Sequence, residues 1–542
     1  MTEIDIPAVG IVPVRQAVRG HSMRRSLWRT IGLVLGLLGV LFIYISPVAA
    51  TGGGPFLVTT ANDADTRGDG VISLREAIEI ANGTLAGPFD ANEQTSLSGC
   101  FFNVSGFITN ACGGGNNTIQ FSPVLTQVMI NGRLPEMSTT NVLVDGHVTS
   151  GRVIVNNTAN DLAFWLGASD QTVENIAIIN ASDPIGVVSN IPLKHLAVSN
   201  SYLGVLPDST SCSDPRIVRK PDFGIILFDG SGSAASGDGS AYIYGNTIGC
   251  ANYDGVAISN LSYVYVGQDA SGNNVPNYIG VNASGQALPN GSANAGGISL
   301  CCANLPQHNV IISNTIAFNG YYGIDLETSS NNLISGNDIH HNGKVGILLT
   351  SSSSVAMPGN TVHDNIGPGV WFTGSQTTSN VISYGAYYSN RATGITEGGG
   401  ASNNAWRFMS TYNNFGLGID QGDNGMPDPP PVSIDAITRA NGAVTVTGRY
   451  LGTIYLVTDY KIDLYRVALD RTGYGEGRTY VGSASVNWGF PLINQWTIVD
   501  STGGSSCYTA VLTSVDIGST NASSEYTADA GCAKAMVPIA LR

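Results

Sequence analysis

Residues 309–350 read NVIISNTIAFNGYYGIDLETSSNNLISGNDIHHNGKVGILLT, and the second half rewrites the first. NTIAFNGYYGIDLE from Asn314 returns as NDIHHNGKVGILLT from Asn337, with the Asn, Gly and central Ile and Leu positions kept. Lines of the form Gly-aliphatic-x-aliphatic, or near variants of it, start at Gly224, Gly255, Gly297, Gly323, Gly346, Gly369, Gly394 and Gly418, the last five spaced 23, 23, 25 and 24 residues. Asn319, Asn342, Asn365, Asn390 and Asn414 each stand four residues before such a glycine. Asn314, Asn337 and Asn360 stand nine before it, and Asn309, Asn332, Asn380 and Asn404 fourteen before it. A period in this range marks a solenoid, because one repeat cannot bury its own apolar face and must stack on the next. The aliphatic runs between the marks alternate at the strand period of two, which gives three short strands per coil. The expected fold is therefore all-β: a right-handed parallel β-helix. A propeller is excluded, since its blades need ~40 or more residues.

The register follows. Ile324, Ile347, Val370, Ile395 and Ile419 should pile into one buried column, and the asparagines should form ladders at turns where Asn tolerates left-handed backbone. Upstream, GVISLREAIEIAN carries a capping box (Ser73, Glu76) and one apolar face (Leu74, Ile78, Ala81), so a helical N-terminal cap is expected over residues 51–100. The β-helix should fill 101–428. Downstream of the stiff MPDPPPV stretch at 426–432, alternating strands without the Asn/Gly repeat suggest a small Ig-like β-sandwich over 432–542. Glu397 and Gln421 replace inward aliphatics in the last coils, so the core is expected to fray there and to be closed by that sandwich.

Composition bounds the function. The chain has 542 residues, 68 of them Gly, only 12% charged and a net charge of −15. That balance excludes nucleic acid as a partner, because phosphates demand a basic face. Arg24 and Arg25 precede an apolar run from Ile31 to Ile45 and then Pro47-Val48-Ala49-Ala50, the order of a secretory signal over residues 1–50. Translation starting at Met23 would give that signal an ordinary length. Left uncleaved, the run would be an N-terminal anchor, although it falls short of ~20 residues; once it is removed, no membrane contact is expected. No sorting signal marks the C-terminus, where AMVPIALR reads as a last strand. The eight cysteines fall in local pairs, Cys100 with Cys112, Cys212 with Cys250, Cys301 with Cys302, and Cys507 with Cys532. Outside the cytoplasm such a set reads as disulfides, and no Cys-x2-Cys repeat points to zinc.

Several of these stretches resemble a known family. TTANDADTRGDGVISLREAIEIAN is similar to the CSLREA motif of bacterial secreted β-helix proteins, with Val71-Ile72 where that motif starts from Cys. NTIQF with INGRLPEMSTTNVLVDGH resembles the family's first coil, PNYIGVNASGQALPNG its recurrent coil and loop, and TGYGEGRTYVGSASV with NASSEYT its C-terminal sandwich. The likeness spans nearly all of the chain after residue 50. It implies the architecture and export to an extracellular or cell-surface location, and it brings no catalytic residues with it.

The coil map yields candidate sites. Asp325, Leu348, Trp371, Thr396 and Asp420 should form one outward column, with Glu327 beside it. Ala317, His340, His363, Tyr388 and Tyr412 should form another, with Asp338 and Asp364 near the two histidines. Coils stack ~4.8 Å apart, so His340 and His363 are neighbours. Two long insertions, residues 205–223 and 281–296, leave from the same corner a few coils earlier, and loops on one edge of a solenoid border its binding face. In one reading Trp371, Tyr388 and Tyr412 are stacking platforms for sugar rings, with His340, His363, Asp325 and Glu327 as polar contacts. In the other they are solvated or self-stacking surface residues. As metal ligands or acid/base groups the histidines lack a third ligand fixed by spacing, so no metal site is assigned. Asp325 and Glu327 point the same way and are compatible with Ca2+ or with a solvated pair.

The first functional expectation is a non-catalytic secreted or surface protein, acting as a monomer, that binds a polysaccharide or cell-surface glycan along an exposed strand face. The alternative is a polysaccharide lyase or glycoside hydrolase. Against it, no Asn-Thr-Asp, Asp-Asp or Gly-His-Gly signature is present, and only Lys344 and Arg391 offer a base near the ladder face. A periplasmic metal-handling role like that of NosD-type β-helices is a third possibility, resting on the two histidines alone.

Overall fold

The computed structural model describes residues 55–532 except 64, 110–111, 113–115, 190–191, 230–238, 292–293, 302–306, 423–431, 452–458, 469–471, 475, 488–492, 503–505 and 516–521. The expected signal sequence, Met23, Cys302, the AMVPIALR end and nearly all of the MPDPPPV stretch lie outside the described residues.

Three long parallel sheets form the body of an all-β, right-handed solenoid. The first sheet runs from strand Phe56–Val58 to Ala405–Arg407, the second from Phe164–Trp165 to Ile419–Gln421, and the third from Gln127–Ile130 to Ser410–Tyr412. From strand Phe164–Trp165 onward each coil contributes one short strand to each sheet, and its inward residue meets the same residue of the next coil. Ile324 pairs with Ile347, Ile347 with Val370, Val370 with Ile395 and Ile395 with Ile419. All five are buried in one continuous core, so the expected aliphatic column is present. The helix Leu74–Ala81 is also present. Ser73 and Glu76 make the capping box in both directions, and Leu74, Ala77, Ile78 and Ala81 share the core of the first coil. A second short helix, Ala91–Ser96 with Asp90 as its N-cap, was not anticipated from the sequence.

The asparagine ladders require one correction. Asn319, Asn342, Asn365, Asn390 and Asn414 are buried and do stack, but the left-handed backbone belongs to the residue before each: Phe318, His341, Asp364, Ser389 and Asn413, with φ between 54° and 62°. The turn residue takes the positive φ so that the Asn side chain can swing inward. There its Oδ1 accepts from the preceding coil's Asn backbone N–H and Nδ2, as Asn365 does from Asn342 at 3.0 Å each. Its Nδ2 donates in turn to a backbone carbonyl, as Asn365 does to Ile339.

Beyond the solenoid, strands Val432–Ala440, Ala443–Leu451 and Ile493–Asp500 form one antiparallel sheet, and Asp459–Ala468, Glu476–Asn487 and Tyr508–Val515 another. The expectation of a fraying last coil is overturned. Glu397 is buried but accepts from Asn404 Nδ2 (2.7 Å) and Gln421 Nε2 (2.9 Å). The Gln421 N–H donates to Glu525, and Trp406 Nε1 donates to the Ser524 carbonyl. Arg407 holds the fully buried Asp463 with two nitrogens at 2.7 and 2.8 Å. The polar residues that replace aliphatics are thus satisfied by each other and by the segment that follows the last strand. Disulfides join Cys100–Cys112, Cys212–Cys250 and Cys507–Cys532, and Cys301 is also disulfide-bonded.

Candidate functional site

The outer face of the third sheet divides into two halves. In its earlier coils the position after the inward residue is Gly204, Gly249 and Gly280. At Gly249 a Cβ would lie 2.7 Å from Leu288 of the second insertion, so the missing side chain is what lets that loop lie flat on the sheet. Leu206 and Ile217 of the first insertion pack on Ala177 and Ile179, and Val205, Leu288 and the Cys212–Cys250 bridge form a second small cluster. Asn156, Asn157, Thr158, Asn180, Val218 and Arg219 line a hollow of about 240 Å³ beside the first loop.

In the later coils the same position becomes Ala317, His340, His363, Tyr388 and Tyr412, paired coil to coil as expected. His340 and His363 stack with centroids 4.9 Å apart, His363 and Tyr388 at 4.8 Å, and Tyr388 and Tyr412 at 4.6 Å with planes 4° apart. Phe318 adjoins His340 at the lower end. At the upper end the Arg478 guanidinium lies 5.0 Å from the Tyr412 ring. Parallel stacking covers both faces of Tyr388, so it is not a free platform for a sugar ring. The ladder offers edges instead: the Tyr388 and Tyr412 hydroxyls and, at the two histidines, ring nitrogens held by neighbouring polar side chains.

Around the histidines the polar groups are close. His363 Nε2 is 3.1 Å from Asp338 Oδ1, and its Nδ1 is 2.6 Å from Asp364 Oδ2. His340 Nδ1 is 2.8 Å from His341 Nδ1. Burial alone would lower the pKa of His363, but its bonds to the two carboxylates outweigh that and raise it. Burial lowers His340, and the hydrogen bond from His363 lowers Asp338. Asp338, His340 and His363 bring one ligand atom each within 4.8 Å of one another, the one such group among the described residues. Asp338 adds a third donor atom, which the spacing of the histidines did not fix: it stands two residues before His340 on the same face of the strand.

The other candidates lie on the second sheet, apart from the ladder. Asp325, Leu348, Trp371, Thr396 and Asp420 do align in register, but they are not a solvent-exposed column: Thr396 and Asp420 are buried. The Trp371 ring takes the Lys344 ammonium at 5.6 Å, and Lys344 also bonds the Tyr321 hydroxyl. Asp325 is mostly buried; burial first, then Glu327 and Asp254, push its pKa up to about 7. Glu327 is exposed. Asp254 accepts from Tyr322 Oη, Ser299 Oγ and the Gly296 N–H. Sequence reasoning missed Arg478, whose approach to the ladder comes from a strand more than sixty residues away in the chain and leaves no local mark. It also missed His341, for which the HHN run was a visible sign.

A family model described as "Right handed beta helix region" matches residues 292–426. No curated protein sequence matches the chain. Among solved structures it is similar to the A-module of mannuronan C-5 epimerase AlgE6 from Azotobacter vinelandii, at 14% identity over 58% of this chain and 92% of that one, with a TM-score of 0.33. ORF18 of Geobacillus virus E2 aligns at 10% identity over 93% and 82%, TM-score 0.36. The surface adhesin PfbA of Streptococcus pneumoniae aligns at 13% identity over 61% and 92%, TM-score 0.30. At that level of superposition no residue of this chain acquires a role from those proteins.

Proposed function

We propose that this chain is a secreted or cell-surface β-helix protein of the CSLREA type, non-catalytic and monomeric, that binds a polysaccharide or surface glycan along the edge of the His340–Tyr412 ladder. One observation supports the reading above the rest. The ring faces are spent on each other, while the Tyr388 and Tyr412 hydroxyls and, beside His363, the solvent-facing Asp338 and Asp364 carboxylates line the half of the third sheet that the loops leave uncovered. A chain of sugar hydroxyls lying along the column would meet a donor or acceptor at every coil, at the ~4.8 Å spacing of stacked strands. In this reading the helix Leu74–Ala81 is the N-terminal cap, the two antiparallel sheets are an Ig-like sandwich that closes the far end, and residues 1–50 direct export.

The test is a glycan array with the chain from Thr51, followed by reducing-sugar and unsaturated-product assays on any hit. Replacing Tyr388 and Tyr412 together by Phe keeps the stack and removes both hydroxyls. Binding should weaken at least tenfold, without product from either protein. Binding unchanged by the double substitution would defeat the reading.

A second reading is favoured by Asp325. A carboxylic acid kept protonated up to about pH 7, with an exposed carboxylate two residues along the same strand, is the pairing that glycoside hydrolysis uses. Reducing-end release abolished by Asp325→Asn, with the ladder intact, would establish it.

A further inference from the structure

The lower end of the ladder has a chemistry of its own. We propose that Asp338, His340 and His363 form a binding site for a borderline divalent transition ion of the zinc or copper kind. Two imidazoles and one carboxylate are a donor set for such ions, and a poor one for Ca2+ or Mg2+, which take oxygen. Around an ion bound at ~2.0–2.2 Å, neighbouring donors stand about 3.0–3.5 Å apart. Asp338 Oδ1 and His363 Nε2 are already 3.1 Å apart, and all three donors lie within 4.8 Å.

The supporting shell is present on both histidines. Asp364 Oδ2 lies 2.6 Å from His363 Nδ1, the carboxylate–histidine pairing that orients a ligating ring and leaves Nε2 for the ion. His341 occupies the matching turn position one coil earlier and meets His340 Nδ1 at 2.8 Å. The two coils that carry the ligands cannot slide, because Asn342 donates to Asn365 Oδ1 through both its backbone N–H and Nδ2 at 3.0 Å. The strands that carry the ligands therefore hold a fixed spacing, at a half-exposed corner where water can complete the coordination, and the stacked imidazoles turn on their side-chain bonds to bring both ring planes to the ion. The assignment does not rest on the glycan reading, since no ladder tyrosine takes part.

The experiment is zinc titration calorimetry on the tag-free chain from Thr51 after chelator treatment, with circular dichroism as the folding control. One equivalent of Zn2+ should bind. His363→Ala and His340→Ala should each weaken it at least tenfold, Asp364→Asn by about tenfold through orientation alone. His195→Ala, on a distant coil, should bind as the parent does. Millimolar Ca2+ should not displace the zinc. Absence of stoichiometric uptake by the folded chain, uptake that survives both ladder-histidine substitutions, or displacement by Ca2+ would each overturn the proposal.

Discussion

Two columns of side chains climb the same corner of the solenoid two residues apart in every coil, the rings at His340, His363, Tyr388 and Tyr412 and the amides at Asn342, Asn365, Asn390 and Asn414. Their spacing is identical because each coil stacks on the next in one register, through the strand that ends on the ring and the turn that holds the amide. Their valences are not. Each amide uses its oxygen for two donors of the coil before it and its nitrogen for the next amide and a backbone carbonyl, so nothing is left for a ligand. The tyrosine rings meet their neighbours through their faces and keep their hydroxyl edges, while His363 spends its two nitrogens on the carboxylates of Asp338 and Asp364 at the surface. Even the ends match: strand Glu476–Asn487 sends Glu476 to close the amide column and, two residues on, Arg478 to close the ring column. Repetition alone does not separate scaffold from site; what separates them is whether the repeated group is used up internally.

Breaking the amide column should have the largest effect. Asn365→Ala removes the acceptor of two Asn342 donors and the donor to the Ile339 carbonyl, all buried. At about 1–3 kcal/mol for each stranded group, partly relieved by relaxation, the loss should be about 3–5 kcal/mol in urea unfolding. A loss below about 1 kcal/mol would mean the ladder is decorative. Next comes the terminus. Glu476 accepts from the Asn414 N–H at 2.9 Å and Nδ2 at 2.8 Å, standing in for the amide of a coil that does not exist. Glu476→Ala should cost about 2–3 kcal/mol, and proteolysis should then cut between solenoid and C-terminal sheets before it cuts either.

These differences also explain what could be read from the sequence. The coil period, the buried Ile324–Ile419 column, the Ser73–Glu76 capping box and the register of the ring ladder were legible because each is fixed by spacing along one stretch of chain. The left-handed residue before each ladder Asn was misassigned, since spacing marks which residue repeats and not which one bears the turn. Asp338 as a third ligand was visible only as a neighbour of the histidines, and Arg478 and Glu476 were invisible, because their partners lie in other elements. Glu397 looked like a defect for the same reason: its partners Asn404 and Gln421 restore it, and Gln421 is itself secured by Glu525.

The column at Asp325 tests the comparison from the other side, since it is a repeated outward position that the fold has covered. Burial raises Asp325 to about 7, above its unfolded value near 3.8. Its contribution is fully present below about pH 4, declines as the unfolded chain ionises, and is gone once pH exceeds about 7. The parent should therefore lose stability between pH 4 and 7 through this group. Asp325→Asn, which cannot ionise, should flatten that slope and be about 1–2 kcal/mol more stable than the parent at pH 8, a modest gain because solvent still reaches the strand face and screens the charge. Parallel melting curves at pH 5 and pH 8 check it, and an unchanged slope would show that Asp325 is already ionised.

The smallest effect should come from the rings. Tyr388→Leu removes two stacking contacts, at 4.8 and 4.6 Å, from a half-exposed position and keeps apolar cover over the sheet. Aromatic pairs add about 0.5–1.5 kcal/mol beyond their buried area, and water at the ring edges holds these to the low end, so the net cost should be about 1 kcal/mol or less. No buried donor is stranded, since the inward neighbour Tyr387 and the amide of Asn390 are untouched. Measured in the same urea series, the ratio of Asn365→Ala to Tyr388→Leu should be about three or more. If the two cost the same, the rings are as much part of the scaffold as the amides, and the case for a ligand at their edges loses its footing. If the ratio holds, the ring column contributes little to holding the coils together, which is what a surface kept for a ligand requires.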